Sequence, residues 1–133
     1  MTSHFKEDLT LKSTIVHKAA TVYFYDNFVV VEVNEGVTLS YTSGFSLLVS
    51  GLKHLGTKPW IYVSHRVNSY AVVPTDYKYL NRVPSLKGLV IIHSNNDKKN
   101  TIELEQSFFK KPFMVANDFE EALAWGNDIL KNS

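Results

Sequence analysis

The spacing of apolar positions along this chain changes period several times, and each change marks an element. "STIVHKAATVYFYDNFVVVEVN" alternates in the manner of strands and predicts two of them, about 14–25 and 28–34, joined by a tight turn at Asp26-Asn27. From Thr38 to Leu55 the spacing is helical, with Phe45, Leu48, Val49, Leu52 and Leu55 on one stripe and Gly56 placed as a C-cap. "PWIYVSH" returns to a strand, about 59–64, whose unbroken Trp60-Ile61-Tyr62-Val63 predicts burial on both faces. "PTDYKYLNRV" reads as a short helix, with Pro74 near its first position, Thr75 or Asp76 as the cap, and Tyr77, Leu80 and Val83 on one side. "LKGLVIIHS" is a further strand, about 86–93, followed by the turn-forming "SNNDKKN". "TIELEQSFF" predicts a helix packing through Ile102, Leu104 and Phe108 or Phe109 and ended by Pro112, and "PFMVA" a last short strand. Asp118 with Glu121 forms a capping pair for a final helix that packs through Phe119, Ala122, Leu123, Ile129 and Leu130.

The resulting order, β-β-α-β-α-β-α-β-α, predicts an α/β fold with a mainly parallel five-stranded sheet. No linker or internal repeat divides the chain, so residues 1–133 read as one domain, with 1–13 as a flexible or peripheral arm. Composition narrows the partners. Fourteen Lys and Arg against thirteen Asp and Glu, with no long run of either sign, give no electrostatic footprint for nucleic acid. Zero cysteines remove disulfides and thiol chemistry and suit a reducing compartment. No apolar run approaches the ~20 residues of a membrane span, and the opening "MTSHFKEDLTLK" has no signal-peptide core. The expected location is cytoplasmic.

Candidate chemistry collects after the strand 59–64, where Ser64, His65, Arg66, Asn68, Ser69 and Tyr70 precede Asp76. Carboxyl ends of parallel strands are where α/β proteins commonly bind ligands. If strands 59–64 and 86–93 are neighbours, Ser64-His65 and His93-Ser94 end within one strand spacing, about 5 Å. A serine nucleophile would then need a base and an orienting carboxylate, with Asp76 or Asp97 as candidates for the latter. No nucleophile elbow and no metal-ligand spacing accompany them, so hydrolase or metal chemistry on Ser64, His65 and His93 ranks third among the readings. Arg66 can grip an anionic ligand or pair with a local acid, and the local pair is the commoner arrangement. Ser69 and Thr75 are phosphoacceptor candidates on the one hand and turn or cap residues on the other. Lys110-Lys111 reads as a solvated helix end.

Nearly the whole chain resembles the bacterial SpoIIAA-like proteins of the STAS class, on its leading hairpin, four successive β-α units, and the pattern Arg66, Asn68-Ser69-Tyr70, Pro74. That resemblance implies a noncatalytic regulatory or binding module without a cofactor, meeting a protein partner or a small anionic ligand through residues 64–76. The Asp-Ser-Ser/Thr-Gly turn phosphorylated in the anti-sigma-factor antagonists of the class is absent, so their switch does not carry over. The related CRAL-TRIO fold supplies the second reading, a small-ligand or lipid-binding protein. Tyr23 and Tyr25 share a face of one strand and Trp60 and Tyr62 a face of another. These aromatics are interface candidates: a homodimer and the chain's own amino-terminal segment are the two covers for that sheet surface.

Overall fold

The computed structural model describes residues 9–16, 20–34, 36, 38–39, 56–66, 71–72, 77–93 and 99–132. Its main sheet has six strands: β1 (Ser13–Val16), β2 (Ala20–Phe24), β3 (Phe28–Val33), β5 (Trp60–Arg66), β7 (Leu86–His93) and β8 (Phe113–Ala116), side by side in that order. Two short strands, β4 (Thr38–Leu39) and β6 (Ala71–Val72), pair in parallel apart from it. Three helices complete the described residues: α1 (Tyr77–Asn81), α2 (Lys99–Phe108) and α3 (Phe119–Lys131). The helix expected from Thr38 to Leu55 lies outside the described residues, apart from Thr38 and Leu39, which are strand.

The amino-terminal region corrects the expected sheet. In place of one strand over 14–25 the chain forms β1 and β2, antiparallel to each other with Ser13 beside Phe24 and Val16 beside Thr21. β2 then pairs antiparallel with β3. The apolar alternation is interrupted at His17-Lys18, and the reversal falls between the two halves of the predicted strand. The sheet is therefore mixed and six-stranded, with β3, β5, β7 and β8 parallel. The segment from residue 9 onward is not a loose arm, because Leu9 and Leu11 pack on the core and Lys12 N–H donates to Phe24 O at 2.8 Å.

The Asp26-Asn27 turn forms as expected, closed by Tyr25 N–H on Phe28 O at 2.9 Å. It also aligns β5: Asn27 Nδ2 donates to Pro59 O and Asn27 O accepts from Ile61 N–H, each at 2.8 Å. One sheet face carries Val22, Phe24, Val29, Val31, Trp60, Tyr62, Leu89 and Ile91, covered by Tyr77 and Leu80 of α1, Ile102 of α2 and Phe109 just after it. The other face carries Val30, Ile61, Val63, Val90 and Ile92, covered by α3 and by Leu9 and Leu11. Both faces of β5 are thus closed within one chain. Trp60 is 0% exposed and its Nε1 donates to Ser85 Oγ at 3.0 Å. Tyr62 and Tyr25 are buried as well, and Tyr23 is partly buried. Trp60 and Tyr62 are covered by α1 and α2, and Tyr25 lies in the core of the opposite face, so within the single chain these three side chains are already buried and do not await a second copy.

Two further corrections concern α2. At 3.6 residues per turn its inward stripe runs through Ile102, Glu105 and Phe109, so Leu104 and Phe108 fall to its side and are exposed. Beyond it, Lys111 is not a solvated end: half-buried, its Nζ donates to Leu86 O at 2.7 Å and to Val83 O. Burial and the neighbouring Lys87 hold its pKa below the ordinary lysine value. The last helix starts as expected, with Asp118 Oδ1 accepting from Glu121 N–H at 2.9 Å. The Glu121 side chain accepts from Asn117 Nδ2 at 3.0 Å, one residue earlier than a standard capping box would place its donor.

Gly126 lets α3 sit close to the sheet. A β-carbon there would come 2.6 Å from Phe28 Cζ and 3.3 Å from Ile61 Cγ1, and Phe28 is fully buried. Gly126→Ala should therefore destabilise by about 1–3 kcal/mol through overpacking, even though alanine is the better helix former. Urea denaturation measures this, and Phe28→Leu in the same chain should recover part of the loss. A more stable Gly126→Ala variant would show that α3 has room to move outward.

Candidate functional site

Of the polar cluster expected after the central strand, Ser64, His65 and Arg66 are the last residues of β5, and strand geometry splits these three between the two faces. Ser64 and Arg66 follow Trp60 and Tyr62 on the α1/α2 side, and His65 follows Ile61 and Val63 on the α3 side. A serine and a histidine adjacent in a strand cannot act as nucleophile and base for each other. Ser64 and His65 are therefore not a pair for each other, and the base that the hydrolase reading offers to Ser64 is His93 of the neighbouring strand β7.

On the first side, Arg66 pairs with Glu105. Its Nη1 donates to Glu105 Oε2 at 2.7 Å, Nη2 donates to Oε1, and Nε reaches Ser64 Oγ at 3.3 Å. The Arg66 side chain is 9% exposed and that of Glu105 is 0% exposed. Tyr77 of α1 donates its hydroxyl to Glu105 Oε1 at 2.5 Å. The same phenol is buried, and burial followed by the Glu105 charge raises its pKa well above the ordinary tyrosine value. Four residues from β5, α1 and α2 thus form one buried network, which ties Arg66 to a local acid.

On the second side, His65 Nδ1 lies 2.7 Å from Glu32 Oε2 of β3, both side chains being about one-fifth exposed. The His65 ring meets Phe119, the first residue of α3, edge to face at 4.7 Å between centroids. Tyr23 of β2 hydrogen-bonds Glu32, and burial, with the Glu32 charge second, raises the tyrosine pKa. A carboxylate oriented on an imidazole is present, then, but the carboxylate is Glu32. Neither Asp76 nor Asp97 lies among the described residues.

Strands β5 and β7 are parallel neighbours as expected, and the register sets the His93 backbone beside Arg66. Asn68, Ser69, Tyr70, Thr75 and Asp76 lie outside the described residues. Among the described residues no group of three or more His, Asp or Glu side chains gathers to hold a metal ion, and no helix is long and apolar enough to cross a membrane. A cleft of about 480 Å³, lined by Gly56, Thr57, Pro59, Pro84, Ser85 and Lys87, opens at the amino ends of β5 and β7, opposite the polar cluster. Among the described residues its lining includes no aromatic side chain.

Sequence reasoning missed Glu32 and Glu105. Both had a signal: each is the one acid within an otherwise apolar row, Glu32 two residues from Val30 on its strand face and Glu105 between Ile102 and Phe109 on its helix stripe. Comparison with protein-family models, with curated proteins and with solved structures finds no match for this chain.

Removing one partner of the buried pair leaves the other charged and unsatisfied. Arg66→Ala or Glu105→Ala should each cost about 3–5 kcal/mol, whereas Arg66→Met with Glu105→Leu should restore most of the stability. Single variants that melt like wild type would reduce the pair to a surface contact. Tyr77 adds a pH dependence. Its phenol keeps its proton in the folded chain where the unfolded chain has lost it, so its contribution is complete below about pH 10 and is lost as pH rises from there toward the folded value. Tyr77→Phe should flatten that decline in urea titrations at alkaline pH, and an unchanged slope would contradict the assignment.

Proposed function

We propose that this chain is a noncatalytic, STAS-like regulatory or protein-binding module that presents residues 64–76 to a protein or a small anionic partner. The observation that carries this reading is the bracing of β5 at the point where it ends. Arg66 is fixed by Glu105 and Tyr77 on one side, and His65 by Glu32 and Phe119 on the other. Side chains committed to each other in this way hold a recognition edge in place, which lowers the ordering cost of binding. They do not provide a paired nucleophile and base. Ser69 and Thr75 remain the phosphoacceptor candidates within that segment, and a cytoplasmic setting fits the cysteine-free composition.

Native mass spectrometry of protein purified gently from its host tests the reading, because it reports a bound species and its stoichiometry together. Wild type should carry a partner or anionic ligand that is lost from an Asn68→Ala/Ser69→Ala variant of unchanged melting temperature. A bare chain, or one whose adduct is indifferent to those substitutions, would overturn the reading. Ester turnover abolished by both Ser64→Ala and His93→Ala would replace it with the hydrolase.

A further inference from the structure

The sheet has two edges, and their sequences treat a second strand differently. β8 pairs with β7 alone among the described residues. Leu89 N–H donates to Pro112 O at 2.9 Å, with Leu89 in register with Phe113. In a parallel ladder this turns the backbone groups of Pro112, Met114 and Ala116 toward β7 and those of Phe113 and Val115 toward the open side. The proline therefore does not block that side. Phe113-Met114-Val115-Ala116 carries no charge, and Val115 is 38% exposed. Proteins usually protect such an edge with lysine, proline or a bulge, and β8 has none of these within it.

We propose that the β8 edge is the site of a homodimer, in which β8 pairs antiparallel with β8 of a second copy about a two-fold axis at Met114. The outward groups fix this register: Phe113 of one copy exchanges hydrogen bonds with Val115 of the other, and the two Met114 residues meet as a non-hydrogen-bonded pair. The charges flanking the strand then complement each other. Lys110 stands opposite Asp118 of the second copy, and both side chains are exposed in the single chain. The two sheets become one continuous sheet of twelve strands, six from each copy. β1, at the other edge, has the opposite design. Lys12 precedes it and His17-Lys18 follow it in sequence, so pairing β1 with its own copy sets basic residues against basic residues. The same comparison selects a second copy as the occupant of β8, because the complementary charge is supplied by the strand's own flanks.

The chain has no cysteine, so one introduced at the axis reports on the interface directly. Non-hydrogen-bonded antiparallel partners lie about 4.5 Å apart at Cα, within disulfide range. Met114→Cys should cross-link to itself under mild oxidation, while Val16→Cys, on the exposed outer strand β1, should stay monomeric. In sedimentation velocity, wild type should run as a dimer. Val115→Pro, which removes an outward N–H without touching the β7 ladder, should run as a folded monomer. Wild type that stays monomeric at high micromolar concentration overturns the proposal. So does a dimer whose Met114→Cys form fails to cross-link, and cross-linking decides the matter if Val115→Pro does not fold.

Discussion

Much of this structure follows from β5 being closed on both faces. A strand covered by helices on each side has no solvent face to which a polar side chain can retreat. From Trp60 to Val63 the sequence meets that condition with apolar residues, and Trp60 satisfies its one polar atom on Ser85. From Ser64 onward the side chains are polar while the backbone is still in the sheet. Each must then find its partner inside the fold, and alternation sends successive residues to different partners. Glu105 and Tyr77 answer Arg66 from one layer, and Glu32 answers His65 from within the sheet.

Such a network is not the cheapest way to stabilise a strand end. Removing two charges from water costs several kcal/mol per ion, and apolar replacements of similar volume commonly perform as well or better. What the Arg66–Glu105 pair adds is geometry. A bidentate contact admits one relative placement of guanidinium and carboxylate, so it fixes α2 against β5, and the Tyr77 hydroxyl brings the start of α1 to the same point. Asn81 repeats the link at the other end of α1, donating from Nδ2 to Phe108 O at 3.0 Å and accepting from Lys110 N–H at 2.9 Å. Three directional hydrogen bonds, one at its first residue and two at its last, position a five-residue helix that could not hold itself.

How much of this could be read from the sequence depended on whether the signal was local. The strand expected at 59–64, which continues to Arg66, the strand at 86–93, the Asp26-Asn27 turn and the Asp118 cap are each specified by residues adjacent in the chain, and were legible apart from that two-residue extension. The division of 14–25 into β1 and β2 was not, because the break at His17-Lys18 is short and the same strand alternation resumes after it. The site was half legible. The cluster Ser64-His65-Arg66 stood out, but its counter-charges lie 33 and 39 residues away in sequence. In their own segments Glu32 and Glu105 stand out only as single acids in apolar rows, and nothing nearby in the chain names the partner of either. Leu104 misled for the complementary reason: a hydrophobic residue one position out of register with its stripe looks like part of it until the buried glutamate defines the stripe.

The aromatic residues carry the same lesson about faces. Trp60 and Tyr62 share a side of β5, and a sheet side rich in aromatics needs a cover, as the sequence implied. A face and an edge pose different problems, however. The face is closed by side-chain burial, which α1 and α2 supply from within the chain through Tyr77, Leu80, Ile102 and Phe109. An edge is closed only by backbone hydrogen bonds, and no helix packed on either side of a sheet can provide them. With both sides of the central strands covered, the backbone groups at the margins of the sheet are what remains to pair, which is why assembly is to be sought along the plane of the sheet and not across it.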